Sequence, residues 1–214
     1  MKFRIDLKIF VFLILFYFTR QIEVYSYIMI FSIIHEIGHH FAGLICKMKP
    51  ETLEIMPFGV SIQFKLTTND YNKKILKSNI LELKKIFVAM AGPLTNLLII
   101  ILCLICDFKI IHNEIMIFSN IIIGLFNLLP IFPLDGGRIL KGILRLSKGA
   151  KKAEIYTNEI SHFMVIFMTI VCSIMIYYFH NIGFLIGLIY LWYLDIKEYK
   201  LYKIRMKMYE LISH

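Results

Sequence analysis

The residues best suited to chemistry are two histidines and a glutamate near the start of the chain. They lie in the sequence His35-Glu36-Ile37-Gly38-His39. Successive residues of an α-helix turn by about 100°, so His35 and His39 project from one face, roughly 40° apart. Two imidazoles spaced in this way can share one tetrahedral metal ion, and Glu36 can reach a water on that ion without being a ligand. The spacing predicts a zinc site beside a carboxylate that acts as a general base.

The composition of the chain is that of a membrane protein. Of its 214 residues, 58% are hydrophobic and only 18% are charged, which excludes an ordinary soluble domain. Ionisable side chains cost at least ~2.5 kcal/mol each at bilayer depth, so a run that carries His35, Glu36, His39 and His40 must satisfy them with a partner. A bound metal is the predicted partner, and a polar patch that joins another helix without metal is the alternative.

Apolar runs predict about six transmembrane helices, two of them short. The runs lie at about Leu7 to Thr19, Tyr25 to Cys46, Ile86 to Cys106, Ile115 to Leu134, Phe163 to Phe179 and Ile182 to Trp192. Of the 24 Lys and Arg residues, all but Arg20 and Lys109 fall in alternate loops, and such loops mark the cytoplasmic side. We therefore expect a multi-pass protein of the cell membrane with both termini in the cytoplasm. The net charge of +9 then reflects topology and contact with anionic lipid, and no nucleic-acid partner is expected.

The loop from Lys47 to Lys85 has a different pattern. Its apolar residues partly alternate with polar ones and are interrupted by Pro57 and Gly59, which favours short strands over helix. The expected fold class is an all-α polytopic membrane protein with about six transmembrane helices and a small membrane-associated β-hairpin or sheet between the second and third. We expect one catalytic membrane domain over residues 1–196 and a basic cytoplasmic tail over residues 197–214.

A third metal ligand is expected from Asp135. Apart from Glu36, we take it as the only acidic residue well embedded in apolar sequence, since it directly follows the fourth predicted span and Ile139-Leu140 continues the apolar run. It follows Pro130 and Pro133 and precedes Gly136-Gly137, a sequence that cannot continue a regular helix. A helix break inside a membrane persists only where it lines a cavity or packs against protein. The alternative is that Asp135 caps a helix end.

Three blocks of sequence together resemble the site-2 protease family of intramembrane zinc metalloproteases, peptidase family M50. The blocks are the His35 to His39 helix, Ala91-Gly92-Pro93-Leu94-Thr95-Asn96, and the segment from Asn127 to Arg138. Met56-Pro57-Phe58-Gly59-Val60 is also similar to the start of the strands in the short bacterial branch typified by stage IV sporulation protein FB. The chain is most similar to that branch.

The resemblance implies a metalloendopeptidase that holds one Zn²⁺ per chain through His35, His39 and Asp135, with Glu36 as the general base. Its substrate would be a membrane-embedded or membrane-associated protein, cut near the cytoplasmic face. A sigma-factor precursor activated during sporulation is the expected example. The other expected partners are the lipid bilayer and an inhibitory membrane protein. The residues expected to bind substrate are Asn127, Pro130, Pro133, Phe58 and Gly59.

Two functions of a different kind stay open at the level of sequence. A zinc-binding membrane protein without hydrolysis, or pseudoprotease, would lack or displace Glu36, which is present. A metal transporter would spread polar residues through several spans along a pathway, whereas the polar residues here cluster on two predicted spans.

Overall fold

The structure is a computed structural model that describes most of the chain. The described residues are 2–5, 10, 13–14, 17–18, 22–56, 59–65, 75–106, 113–180 and 183–213. The elements assigned within them are three strands and six helices. The chain divides into two compact units, Met1–Asn127 and Leu128–His214, which are described separately.

The first unit contains a small sheet and three helices. The strands are β1 (Lys2–Ile5), β2 (Lys49–Met56) and β3 (Gly59–Lys65), and the helices are α1 (Ile22–Ile45), α2 (Ile75–Ile105) and α3 (Asn113–Leu128). Strands β2 and β3 form an antiparallel hairpin, and β3 lies against α1. Strand β1 pairs with β2 in parallel, with Phe3 opposite Leu53. A parallel pair needs a long crossover, and α1 lies within it.

Helices α1 and α2 approach each other closely at Gly38. A Cβ atom at this position would overlap Oγ1 of Thr95 and would lie 3.0 Å from the carbonyl oxygen of Ala91. Ala42, one turn further along α1, is also buried. Small residues on α1 therefore let the backbone of α2 come near, which places α2 beside the face that carries the histidines.

The second unit consists mainly of three helices, α4 (Asp135–Lys148), α5 (Ala150–Phe179) and α6 (Gly183–Ser213). Helix α5 packs against both α4 and α6. Gly149 joins α4 to α5 with φ of 80°, a conformation that glycine adopts at low cost because it has no Cβ. The core of this unit includes Ile131, Val165 and Leu191, which are almost completely buried.

A buried ion cluster links the three helices of the second unit. The carboxylate of Glu154 is 2% exposed, and its Oε1 lies 2.8 Å from both Lys141 Nζ and Arg145 Nη2. Its Oε2 lies 3.0 Å from Arg205 Nε on α6. The ammonium of Lys141 also lies 4.2 Å from the centre of the Phe132 ring. Because a buried charge is tolerated only with partners, this cluster determines how α4 and α6 dock on α5.

The predicted number of membrane spans is wrong for the described part of the chain. Three helices there are long and apolar enough to cross a membrane: Tyr25–Ile45, Asn79–Ile105 and Ala150–Phe179. The fourth predicted span is shorter than expected, since α3 ends at Leu128, before the prolines that stop a helix. The first predicted span, Leu7 to Thr19, falls mostly outside the described residues.

The predicted fold class is also wrong about the extent of the sheet. It placed a hairpin or sheet wholly between the second and third spans, whereas β1 adds a third strand from the start of the chain and the order is β1-β2-β3. The four residues of β1 alternate basic and apolar side chains, but so short a run cannot be told from a basic terminus. The predicted domain boundary after residue 196 stays a prediction, and α6 is continuous across it.

Candidate metal centre

Helix α1 places the predicted histidine pair on its buried face. His35 and His39 are 4% and 3% exposed, and their Nε2 atoms lie 3.1 Å apart. The rings meet edge to face at an interplanar angle of 83°. Glu36 follows His35 in the same turn and is also buried. Burial of three such groups costs free energy unless each has a partner.

Helix α2 supplies an acceptor for the Nδ1 atom of each imidazole. His39 Nδ1 lies 2.7 Å from the carbonyl oxygen of Val88, and His35 Nδ1 lies 3.0 Å from Oδ1 of Asn96. An amide oxygen only accepts hydrogen bonds, so each Nδ1 is the donor and carries a proton. Nε2 is then the nitrogen of each ring that is left to bind a metal, and the two Nε2 atoms lie close together. This is the orientation in which histidines bind a metal through Nε2.

Gly92 of α2 leaves open the space beside the two Nε2 atoms. A Cβ atom at this position would overlap Nε2 of both His35 and His39. The room at Gly92, together with two imidazoles that turn their Nε2 atoms toward it, therefore fits Zn²⁺, which favours such nitrogen ligands.

The third predicted ligand, Asp135, belongs to the second unit. It is the first residue of α4 and is 5% exposed. Its Oδ1 lies 4.0 Å from Nη1 of Arg138. The N-cap of α4 is Leu134, which makes no side-chain capping bond, so Asp135 is not the helix cap that the alternative required. Asp135 therefore stays a predicted metal ligand, as do the buried residues His35 and His39 of the first unit.

The turn before Asp135 is held by a serine on α5 that the sequence did not single out. Ser161 Oγ accepts a hydrogen bond of 2.9 Å from Phe132 N and lies 3.5 Å from the carbonyl oxygen of Pro130. A Cβ atom at Gly136 would overlap the backbone of the residues that precede the turn. The serine and the glycine together keep this chain segment folded tightly against the start of α4.

The residues predicted to bind substrate are placed as follows. Asn127 lies in the last turn of α3, where its Nδ2 donates to a carbonyl oxygen one turn earlier at 3.1 Å. Pro130 and Pro133 are half-buried in the turn before α4. Gly59 begins β3, and Phe58 lies outside the described residues. Their contacts with substrate stay predictions.

Sequence reasoning assigned no role to three groups that orient the site: the Val88 carbonyl, the Asn96 side chain and the Ser161 hydroxyl. Asn96 had a signal, because it is an amide within an apolar run. The Val88 carbonyl had none, since every residue carries such a group and only packing decides which one meets a histidine.

The fold and the histidine pair define a class, that of helical membrane proteins with a buried centre of the metalloprotease type. Comparison with known proteins agrees. Residues 110–171 match the model of Peptidase family M50. The chain is 31% identical over 143 residues to a zinc metalloprotease of Methanocaldococcus jannaschii, covering 64% of this chain and 38% of the relative. It is 27% identical over 126 residues to stage IV sporulation protein FB of Bacillus subtilis, covering 57% and 40% respectively.

A solved structure shares the fold. The site-2 protease from Methanocaldococcus jannaschii superimposes with a TM-score of 0.60 at 20% sequence identity, over 92% of this chain and 89% of that one. The chain spans about two fifths of the length of the curated relatives that it matches. The predicted resemblance to the site-2 protease family is therefore confirmed by the match of residues 110–171 to the model of peptidase family M50 and by the similarity to these relatives.

Proposed function

We propose that this chain is a zinc-dependent intramembrane metalloendopeptidase. It hydrolyses a peptide bond of a membrane-embedded or membrane-associated protein near the cytoplasmic face. The observation that carries the proposal is the buried pair His35 and His39, with each Nδ1 held by α2 and Glu36 in the same turn. Similarity to relatives of peptidase family M50 supports the reaction class.

The residues of the centre have separate tasks in this proposal. One Zn²⁺ per chain is held by His35, His39 and Asp135. When bound, zinc supplies a Lewis acid that polarises the scissile carbonyl and acidifies a water. The carboxylate of Glu36 accepts the proton of the attacking water and delivers it to the leaving amine, so that Glu36 ends ionised again. Burial of these groups excludes bulk water and strengthens their electrostatic interactions.

The proposed substrate is a protein segment that must unwind before it is cut, because the carbonyl groups of an intact helix are hydrogen-bonded. We assign contacts with the unwound segment to Asn127, Pro130 and Pro133, and the same role stays a prediction for Phe58 and Gly59. The similarity to stage IV sporulation protein FB supports a sigma-factor precursor as the first substrate to test. We also propose that both termini lie in the cytoplasm and that an inhibitory membrane protein is the regulator.

The decisive comparison is between Glu36→Gln and Glu23→Gln in detergent-purified protein. Glu23 is an exposed residue in the first turn of the same helix, so it controls for the loss of one carboxylate. We expect Glu36→Gln to keep its zinc and to lower cleavage by about 10²–10⁴-fold, the range that general-base catalysis contributes. Glu23→Gln should cleave like the wild type. Zinc content and cleavage are measured in parallel on a sigma-factor precursor and on a generic single-span helix.

Other results for zinc content or cleavage would contradict parts of this proposal. Cleavage by Glu36→Gln at the wild-type rate would contradict the role of Glu36. Zinc in the wild type without cleavage of either substrate would favour a pseudoprotease, and a wild type that binds no zinc would overturn the proposal.

A further inference from the structure

Buried polar groups form a line that runs from the histidine pair across the first unit. His35 Nδ1 lies 3.0 Å from Asn96 Oδ1, and Asn96 Nδ2 lies 3.2 Å from the carbonyl oxygen of Asn120. The two asparagines are 1% and 0% exposed. The line therefore connects α1, α2 and α3 through the interior. The proposed reaction uses neither asparagine.

The carbonyl group of Asn120 determines which way the amide of Asn96 points. A backbone carbonyl oxygen can only accept, so the NH₂ group of Asn96 must face it. The opposite orientation would set Oδ1 of Asn96 against the carbonyl oxygen of Asn120, and two buried acceptors would face each other without a donor. Oδ1 of Asn96 consequently faces His35 and accepts a hydrogen bond from its Nδ1.

We infer that Asn96 is a positioning residue for the metal centre. By accepting from Nδ1, it holds His35 in the tautomer and ring orientation that present the Nε2 lone pair to the metal. The inference rests on the proposed function, because it takes His35 to be a zinc ligand. His39 receives the same orientation from the Val88 carbonyl, which no side-chain substitution removes. Asn96 is thus the partner that mutation can test.

Asn96 could instead have only a structural role, in which its hydrogen bond to the Asn120 carbonyl holds α2 and α3 together. The two roles predict different effects of mutation on zinc binding. Asn96→Asp separates the two roles, because a carboxylate still accepts from His35 Nδ1 but cannot donate to the Asn120 carbonyl. Asn96→Leu has a similar size and removes both hydrogen bonds. If positioning matters, the Asp variant keeps metal binding and the Leu variant loses it. If only the hydrogen bond to the Asn120 carbonyl matters, both variants lose stability and zinc binding together.

The experiment measures the zinc dissociation constant of each detergent-purified variant by competition with a chelator. We expect Asn96→Leu to bind zinc about 10–100-fold more weakly, the usual effect of losing the hydrogen-bond partner of a ligand histidine. Asn96→Asp should stay within about threefold of the wild type, since carboxylates often fill this position. Its cobalt-substituted form should also show the wild-type visible absorption, which reports the arrangement of the ligands.

A matched control is available on the same pair of helices. Asn113 also joins α3 to α2, through hydrogen bonds of 3.0 and 2.9 Å from its Nδ2 to the carbonyl oxygens of Cys103 and Cys106. Asn113→Leu should therefore leave zinc affinity unchanged. Thermal unfolding of the metal-free variants checks their fold. Should Asn96→Leu fail to fold, Asn96→Ser replaces it with the same expected loss, because its hydroxyl is too short to reach His35.

The outcomes separate this inference from the proposed function. Wild-type zinc affinity in Asn96→Leu, or equal losses in the Asp and Leu variants, would overturn the positioning role while the protease proposal stands. A wild-type protein that binds no zinc would overturn the proposed function itself.

Discussion

His35 and His39 receive three separate contributions from the neighbouring helix α2. The Val88 carbonyl and the Asn96 amide orient the two rings, and the missing side chain of Gly92 leaves room beside their Nε2 atoms. Orientation and room are independent requirements, because a correctly turned ring binds no metal if an atom already fills the space. A mutation can therefore remove the orientation of the rings without filling the space beside them, or fill that space without removing the orienting groups.

The requirement for room predicts the effect of Gly92→Ala. The added methyl group would overlap Nε2 of both histidines, and these rings cannot turn away without losing their bonds to α2. We expect zinc content to fall from one per chain to nearly none. The strain should lower the stability of the metal-free protein by only about 1–3 kcal/mol, as is usual for overpacking. Metal analysis and thermal unfolding measure the two effects.

Gly124→Ala is the matched control for this substitution. Its Cβ would lie 3.7 Å from the Cβ of Asn96, which is ordinary van der Waals contact, so zinc content should not change. Full zinc content in Gly92→Ala would show that the space beside the Nε2 atoms is not where the metal lies.

Among the elements, helix α5 organises the second unit. Its residue Ser161 accepts a hydrogen bond from the turn that precedes Asp135. Its residue Glu154 forms ion pairs with basic side chains of α4 and α6. Because Asp135 begins α4, the docking of α4 on α5 decides where that carboxylate is held. The ion cluster and Asp135 are thus connected through one helix of the second unit.

The cluster predicts a large effect of Glu154→Gln on stability. Lys141, Arg145 and Arg205 would keep their charges but lose the carboxylate that they share. Breaking a buried ion pair from one side typically costs about 3–5 kcal/mol, so the midpoint of thermal unfolding in detergent should fall clearly. The exposed Glu159 lies on the same helix, and Glu159→Gln should unfold at the wild-type temperature. Equal midpoints for the two variants would show that the cluster contributes little.

The whole molecule is arranged for a bilayer. In the part of the chain that the structure describes, three helices are long and apolar enough to cross it, and they carry large exposed side chains such as Ile37, Leu97 and Phe167. In water such surfaces would cause aggregation, whereas lipid solvates them. The same helices carry the buried histidines and their α2 partners, so the chemistry lies on segments that face lipid on their other side.

Charge distribution predicts which side of the membrane each loop faces. With the native cysteines replaced by alanine, a cysteine at exposed Ser147, in the last turn of the basic helix α4, should react with a membrane-impermeant maleimide only after the cells are opened. A cysteine in place of Lys109 should react in intact cells. The reverse pattern would invert the topology and would place the opening of the site on the outer face.

Some features of this protein follow from local sequence alone. The spacing of His35, Glu36 and His39 places them on one helical turn whatever the surroundings, because helix geometry repeats every 3.6 residues. The apolar composition likewise requires a membrane. The family resemblance also came from short blocks that any correct fold must retain. These predictions needed no knowledge of how the elements pack.

Other features were decided only by tertiary structure. The partners of His35 and His39 lie 61 and 49 residues away, and periodicity along a chain carries no information on the register between two helices. The same reason explains why β1 was missed, since four residues become a strand only when β2 supplies their hydrogen bonds. The number of candidate spans also depended on where α3 ended, and the chain turns there because Ser161 and a close glycine contact stabilise the turn.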